Sequence, residues 1–140
     1  MISICAACGR TLIGSEDAGG TDILIDYLRE RPEAVEFLER HVDDAAVSAV
    51  SVAELFQGVR EGRERTKLEI MLSALMVLPL TDEIASLAGI FRRDFKDRIG
   101  CGLADCMIAA TASHHSMDLA TLNGKHFTML PSITVPYRKS

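Results

Sequence analysis

A chain of 140 residues with 48% hydrophobic and 25% charged side chains has the length and composition of one folded domain. Its net charge of −5 excludes the overall basic field of a passive nucleic-acid binder, but it does not exclude a nuclease whose metal site is itself acidic. There is no run of about 18 apolar residues and no basic flank before a long apolar stretch, so we expect a cytoplasmic protein without a membrane span.

The first 20 residues differ from the rest of the chain. They are rich in small residues, glycines and acids and have no sustained helical or strand period. Met1–Ala6 and Thr11–Ile13 are both candidates for a short strand. We therefore divide the chain into an atypical N-terminal segment, 1–20, and a single domain over 21–140.

The cysteines form two pairs of different spacing. Cys5-x-x-Cys8 resembles one knuckle of a zinc ribbon, because a tight turn lets two thiolates face one metal ion. Cys101 and Cys106 lack that spacing. Reduced cytosolic thiols are the main expectation, and a structural zinc site is the alternative.

Beyond residue 20 the pattern alternates between helices and strands. Apolar spacing and start signals predict helices over 22–30, from Pro32, from Ser51 to near Gly58 or Gly62, and over 63–75, 82–98 and Leu103–His115. Short apolar runs predict strands over Ala45–Val50, Met76–Leu80, Leu119–Leu122 and Ile133–Val135. This alternation predicts an α/β fold with a mostly parallel sheet, whose sites form at the carboxyl ends of the strands.

Three polar residues lie where such a site would form. Glu54 follows the strand predicted at 45–50, although Ser51-x-x-Glu54 also fits a capping box at a helix start. Asp105 begins an apolar helix, where an unpaired carboxylate would be costly without a partner or a metal ion. Asn123 ends the stretch LATLN, although an Asn followed by Gly is also common in ordinary turns.

These groups converge if the strands that carry them are neighbours. Clustered carboxylates repel one another unless a divalent ion holds them, and hard oxygen ligands suit Mg²⁺ or Mn²⁺. Such an ion can activate water and stabilise the leaving oxygen of a phosphodiester. The pattern therefore favours metal-assisted phosphodiester hydrolysis.

The chain resembles a PIN domain, and within that family the VapC-type toxins of bacterial toxin–antitoxin pairs. The resemblance covers residues 21–137 in the family's order and spacing, through TDILIDYLRERPEAVEFL, VSAVSVAELFQGV, LPLTDEIASLAGIFRRDF, GLADCMIAATA and LATLNGKHFTMLPSITVPY. Each stretch is weakly specific, whereas the set together is specific.

The resemblance implies an α/β/α sandwich around a parallel sheet and an endoribonuclease site dependent on Mg²⁺ or Mn²⁺. It also implies an RNA substrate, a homodimer and inhibition by a cognate VapB-like antitoxin. The family's second acid falls on Glu54, its third on Asp105, and its variable Asp or Asn on Asn123. Thr121 matches the hydroxyl that often precedes this last position.

The family's first acid is missing from its expected place. An apolar strand running into Asp-Thr normally opens the domain, but here Gly20 precedes Thr21 and the strand before it is absent. Three explanations are open: a non-native N-terminal segment, a degenerate inactive member, or a strand from 11–13 or 1–6 joined through a longer loop. In the last case the substitute ligand would be Asp22, Asp17 or Glu16.

Two functions therefore compete. The first is an active metal-dependent endoribonuclease, and the second is an impaired PIN fold that only binds a partner protein. Two groups of cations are either RNA contacts or ordinary solvated helix faces: Arg60, Arg63 and Arg65, and the cations of 92–98. Lys125 and His126 lie beside Asn123 and are candidates to touch a scissile phosphate.

Overall fold

The computed structural model describes residues 10–14, 23–95, 102–131 and 133–137. Its strands are β1 (Thr11–Ile13), β2 (Ala45–Ser48), β3 (Met76–Leu78), β4 (Asp118–Ala120) and β5 (Ile133–Thr134). Its helices are α1 (Ile23–Leu28), α2 (Pro32–His41), α3 (Ala49–Gly58), α4 (Arg63–Ala74), α5 (Asp82–Phe95) and α6 (Leu103–His114). A 3₁₀ turn over Gly124–Phe127 separates β4 from β5.

The five strands form one parallel sheet in the order β3-β2-β1-β4-β5. The central strand is β1, which pairs with β2 on one side and with β4 on the other. The sequence offers two candidates for an additional strand, and Thr11–Ile13 is the one that forms the centre of the sheet. The other candidate, Met1–Ala6, lies outside the described residues, and the separate character of 1–9 and 15–20 stays a prediction.

Successive residues of β1 point to opposite faces of the sheet, and each face is covered by helices. Leu12 belongs to a buried cluster with Leu119 and with the α6 residues Ile108, Ala109 and Ala112. Ile13 belongs to a second cluster, with Val47 and side chains of α1, α2, α3 and α4 such as Leu24, Leu38, Leu55 and Leu68. Helices on both faces confirm the predicted three-layer α/β/α sandwich.

The predicted capping box at Ser51 is wrong, because α3 begins two residues earlier. Ser48 is the N-cap, and its hydroxyl accepts a hydrogen bond from the Val50 amide at 3.0 Å. Ser51 is a buried residue inside the helix, so Glu54 does not occupy the third helical position that a capping box requires. Glu54 therefore does not serve as the reciprocal partner of a helix cap.

Most predicted elements occur with shorter ends. Strands β2, β3 and β4 each stop two residues before the predicted end. In β2 the reason is local, because the Ser48 cap turns the chain into a helix where the apolar run still continues. Helix α5 is described only to Phe95, since residues 96–101 lie outside the described ranges. No described helix has both the length and the apolar character needed to cross a membrane.

The C-terminal residues return to α1. The Tyr137 hydroxyl donates to Asp26 Oδ2 at 2.7 Å, and the Arg31 guanidinium lies 5.5 Å from the Tyr137 ring centroid. Asp26 is buried, with 6% of its surface exposed. Because the Tyr137 hydroxyl donates a hydrogen bond to it, the Asp26 carboxylate can be buried where α1 faces the core.

Replacing Leu12 with alanine tests whether β1 is the central strand. Leu12 is fully buried, so we expect Leu12→Ala to lower the free energy of unfolding by about 2–5 kcal/mol in urea denaturation. Ile70→Ala is the control, because Ile70 is 65% exposed on α4 and should cost less than about 0.5 kcal/mol. Equal stability of the two variants would show that another segment fills the centre of the sheet.

Candidate functional site

The candidate site lies at the carboxyl edge of the sheet, around the ends of β1 and β4. The Gly14 amide, directly after β1, donates to the Ala120 carbonyl at 2.8 Å. A Cβ at Gly14 would lie 3.3 Å from that carbonyl oxygen and 3.6 Å from Thr121 Cβ. The two strand ends therefore approach each other closely, and the residue at the end of the central strand is a glycine.

His126 lies between Asp105 and Asn123 and connects them. Its Nδ1 is 3.0 Å from Asp105 Oδ2, and its Nε2 is 2.9 Å from Asn123 Nδ2. The side chains of His126 and Asp105 are 18% and 13% exposed. Asp105 lies in the first turn of α6, and the 3₁₀ turn that carries His126 packs against this helix. Two of the predicted site residues, Asp105 and Asn123, are thus brought together.

Thr121 organises the turn after β4. Its side chain is fully buried, and its Oγ1 accepts a hydrogen bond from the Asn123 amide at 3.1 Å. The Thr121 amide in turn donates to the Thr134 carbonyl at 2.9 Å. A Cβ at Gly124 would lie 2.5 Å from Ile133 Cδ1, so this turn accepts only glycine without a shift of its neighbour. These contacts fix where Asn123 leaves the strand.

Glu54 lies on the helix that follows β2, and β2 flanks β1 on the side away from β4. It lies half-buried on α3, which begins at the end of β2 and packs against α6. Strands β2 and β4 are not neighbours, because β1 lies between them, so these two strands do not meet the condition stated for convergence. Glu54 and Asp105 are instead related by the packing of their two helices.

The side chains at the site offer the kind of oxygen ligand that a hard divalent ion prefers, but the described residues offer too few of them. Asp105, Glu54 and Asn123 offer carboxylate and amide oxygens, the ligands that such ions prefer. Within the described ranges, however, no three His, Cys, Asp or Glu side chains form a metal-binding group. Three further acids, Glu16, Asp17 and Asp22, lie in residues 15–22, which connect β1 to α1 in the sequence.

Several predictions concern residues outside the described part of the chain. The substitute ligand Asp22, together with Gly20 and Thr21, falls there, and so do Cys5 and Cys8 of the zinc-knuckle alternative. Their roles stay predictions.

Two of the cations predicted as possible RNA contacts, Arg60 and Arg65, are paired with acids. Arg65 pairs with Glu61 and Glu69 at 3.2 and 3.4 Å, and these carboxylates raise the pKa of its guanidinium. Arg60 lies 4.0 Å from Glu64. This compensation is typical of a solvated helix face rather than of a phosphate-binding surface.

The contact between His126 and Asp105 could not be predicted from the sequence. The two residues are 21 positions apart, and such a separation gives no local pattern.

The sequence is similar to that of known proteins over most of its length. The model of the PIN domain matches residues 21–130. Ribonuclease VapC10 of Mycobacterium tuberculosis is 38% identical over 120 residues, which cover 84% of this chain and 90% of the relative. Ribonuclease VapC19 of the same organism is 36% identical over 121 residues, covering 84% and 96%.

A solved structure agrees with these relatives. One chain of a toxin–antitoxin complex from Klebsiella pneumoniae superimposes with a TM-score of 0.75 at 27% identity, covering 94% of this chain and 100% of that one. The family match, the similarity to both relatives over most of their length and this superposition all indicate the same family. The chain belongs to the PIN-domain family, and within that family it is a VapC-type member.

Proposed function

We propose that this protein is the ribonuclease toxin of a toxin–antitoxin pair and cleaves RNA by metal-dependent phosphodiester hydrolysis. The observation that carries the proposal is the partly buried group of Asp105, His126 and Asn123 at the carboxyl edge of the sheet. The identity of 38% to a protein named as a ribonuclease supports it from outside the chain.

The proposed ion is Mg²⁺ or Mn²⁺, held by Asp105 and Glu54 together with an acid from residues 15–22. Asp22 is the first candidate for that acid, and Asp17 and Glu16 are the others. When bound, the ion would lower the pKa of a water molecule and stabilise the leaving oxygen. Asn123 would orient a water molecule through its amide oxygen, and Thr121 would hold the backbone of Asn123 in place.

The proposed partners follow from the same relationship. The Klebsiella pneumoniae structure is a toxin–antitoxin complex, so we propose a cognate VapB-like antitoxin for this chain. A homodimer and a cytoplasmic location, where RNA is available, complete the proposal.

The alternative is a PIN fold that binds its partner without cleaving RNA. The observation that favours it is Gly14, which directly follows the central strand, so the end of β1 carries no carboxylate at the site. Under this alternative, Glu16, Asp17 and Asp22 do not reach the ion and the ligand set stays incomplete.

Removal of the metal ion tests the proposal. With excess Mn²⁺ we expect the purified full chain to cleave a labelled single-stranded RNA, and we expect EDTA to abolish cleavage because the nucleophile is no longer activated. Re-addition of Mn²⁺ or Mg²⁺ should restore it, and the ion that restores the higher rate identifies the preferred metal. DNA of the same sequence is the control. Cleavage that persists in EDTA would contradict the metal-dependent mechanism.

A further inference from the structure

We propose that the C-terminal residues 135–137 form a strap that latches helix α1 onto the domain, so that release of the strap loosens α1 while the sheet stays intact. The strap follows β5 at the edge of the sheet. It reaches α1 at Tyr137, whose partner Asp26 lies 111 positions earlier in the chain. The proposal is independent of ribonuclease activity, because it concerns the conformational stability of the fold.

Helix α1 is too short to be stable on its own. It has six residues, whereas isolated helices shorter than about 12–15 residues are marginal in water. Its stability must therefore come from tertiary contacts. Part of it comes from Ile23, Leu24 and Leu28, which are buried in a cluster with side chains of α2, α3 and α4.

The Tyr137 hydroxyl adds a polar contact to the buried side of this helix. It donates to Asp26 Oδ2 at 2.7 Å, and Asp26 is buried. A hydrogen bond to a buried carboxylate is stronger than one between neutral groups in water, because the charge is poorly screened there. Opening the strap takes this donor away from the carboxylate. Exposure of Asp26 to water, and with it the opening of α1, then becomes more favourable.

The strap also contacts the turn at the end of α1. The Arg31 guanidinium lies 5.5 Å from the centroid of the Tyr137 ring, within the range of a cation–π contact. The Arg31 amide donates to the Asp26 carbonyl at 2.9 Å, so the same residue closes the last turn of the helix. Tyr137 therefore holds the helix through its hydroxyl and the following turn through its ring.

The position of α1 determines the shape of a groove on this side of the domain. Tyr27 of α1 lines a groove of about 180 Å³ together with Leu38 of α2 and with Met71 and Leu75 of α4. Opening of α1 removes Tyr27 from the wall of this groove. The strap is thus a conformational device that couples the C-terminal residues to the groove.

Amide hydrogen exchange in the full-length chain, followed by NMR, tests the proposal. The reporters are the amides of residues 29–31, which donate to carbonyls of α1, and the comparison is with the sheet amides of Thr11 and Gly14. In the unmodified chain the α1 reporters should exchange faster than the sheet amides, because a local opening costs less than global unfolding. Tyr137→Phe should speed the α1 reporters by about 10–100-fold, as expected for loss of a hydrogen bond to a charged group.

Tyr27→Phe is the matched control, because it removes the hydroxyl of the other tyrosine of the chain and lies on α1 itself. Within the described residues this hydroxyl has no hydrogen-bond partner, so its loss should speed the α1 reporters by less than about threefold. A double-mutant cycle with Asp26→Asn identifies the bond. If Tyr137 and Asp26 act through one contact, the double variant should exchange more slowly than the product of the two single effects.

Three results would overturn the proposal. Equal exchange of the α1 reporters and the sheet amides in the unmodified chain would show that both unfold as one unit. An effect of Tyr137→Phe no larger than that of Tyr27→Phe would remove the hydroxyl from the latch. Independent effects in the double-mutant cycle would show that Tyr137 and Asp26 act separately.

A second variant covers the case in which Tyr137→Phe does not fold. Arg31→Gln weakens the contact to the Tyr137 ring and leaves its hydroxyl in place. It should speed the α1 reporters by about 2–5-fold, the range expected for loss of a cation–π contact. No increase in this variant would count against the strap.

Discussion

Asp105→Asn is expected to reduce RNA cleavage by on the order of 100–1000-fold while the protein remains folded. The substitution keeps the shape of the side chain and removes the charge that would hold the divalent ion. Loss of metal-based stabilisation is worth several kcal/mol, and each 1.36 kcal/mol corresponds to a tenfold change in rate. The measurement is the initial rate of cleavage of a labelled RNA in saturating Mn²⁺.

Asp118→Asn is the matched control for this variant. Asp118 is exposed at the amino end of β4, opposite the candidate site, so its neutralisation should leave the rate unchanged. Circular dichroism of both variants would confirm that each is folded. A cleavage rate for Asp105→Asn equal to that of the control would remove Asp105 from the proposed ligand set.

Neutralising the acids between β1 and α1 should have an effect of similar size. We expect the triple variant Glu16→Gln, Asp17→Asn, Asp22→Asn to lose at least about 100-fold in the rate of RNA cleavage, because the described residues supply too few metal ligands by themselves. Single substitutions would then identify the ligand, with Asp22→Asn expected to account for most of the loss.

The control for the triple variant carries the same change of charge elsewhere. Glu83→Gln, Asp43→Asn and Asp118→Asn neutralise one glutamate and two aspartates, all exposed and outside the 15–22 segment. This control should cleave RNA at the unmodified rate. If the acidic segment can be neutralised with no greater loss than the control, the substitute-ligand hypothesis is wrong.

Much of the fold is predictable because strands and helices alternate with a clear period. The strand at Thr11–Ile13 was the difficult element, since three residues carry too little pattern to be recognised alone. Its place in the sheet depends on partners far along the chain, at Ala45–Val47 and Asp118–Ala120. Only these tertiary contacts distinguish it from the competing segment at 1–6.

The candidate site was predictable to a smaller extent. Asp105 and Asn123 could be chosen because each lies where an apolar element begins or ends, and the structure brings both to His126. The capping interpretation of Glu54 failed because two serines, Ser48 and Ser51, were both plausible helix caps. Hydrogen bonding to the Val50 amide selects Ser48, and sequence spacing alone does not contain that information.

The central claim is that this chain is an active metal-dependent ribonuclease although Gly20 replaces the family's first acid. The most direct test compares the unmodified protein with Gly20→Asp in Mn²⁺ on the same RNA. The proposed ligand set predicts that the unmodified protein already cleaves the RNA and that Gly20→Asp changes the rate by less than about tenfold. An unmodified protein that leaves the RNA intact, beside a Gly20→Asp variant that cleaves it, would contradict the claim and identify the chain as an inactive PIN fold.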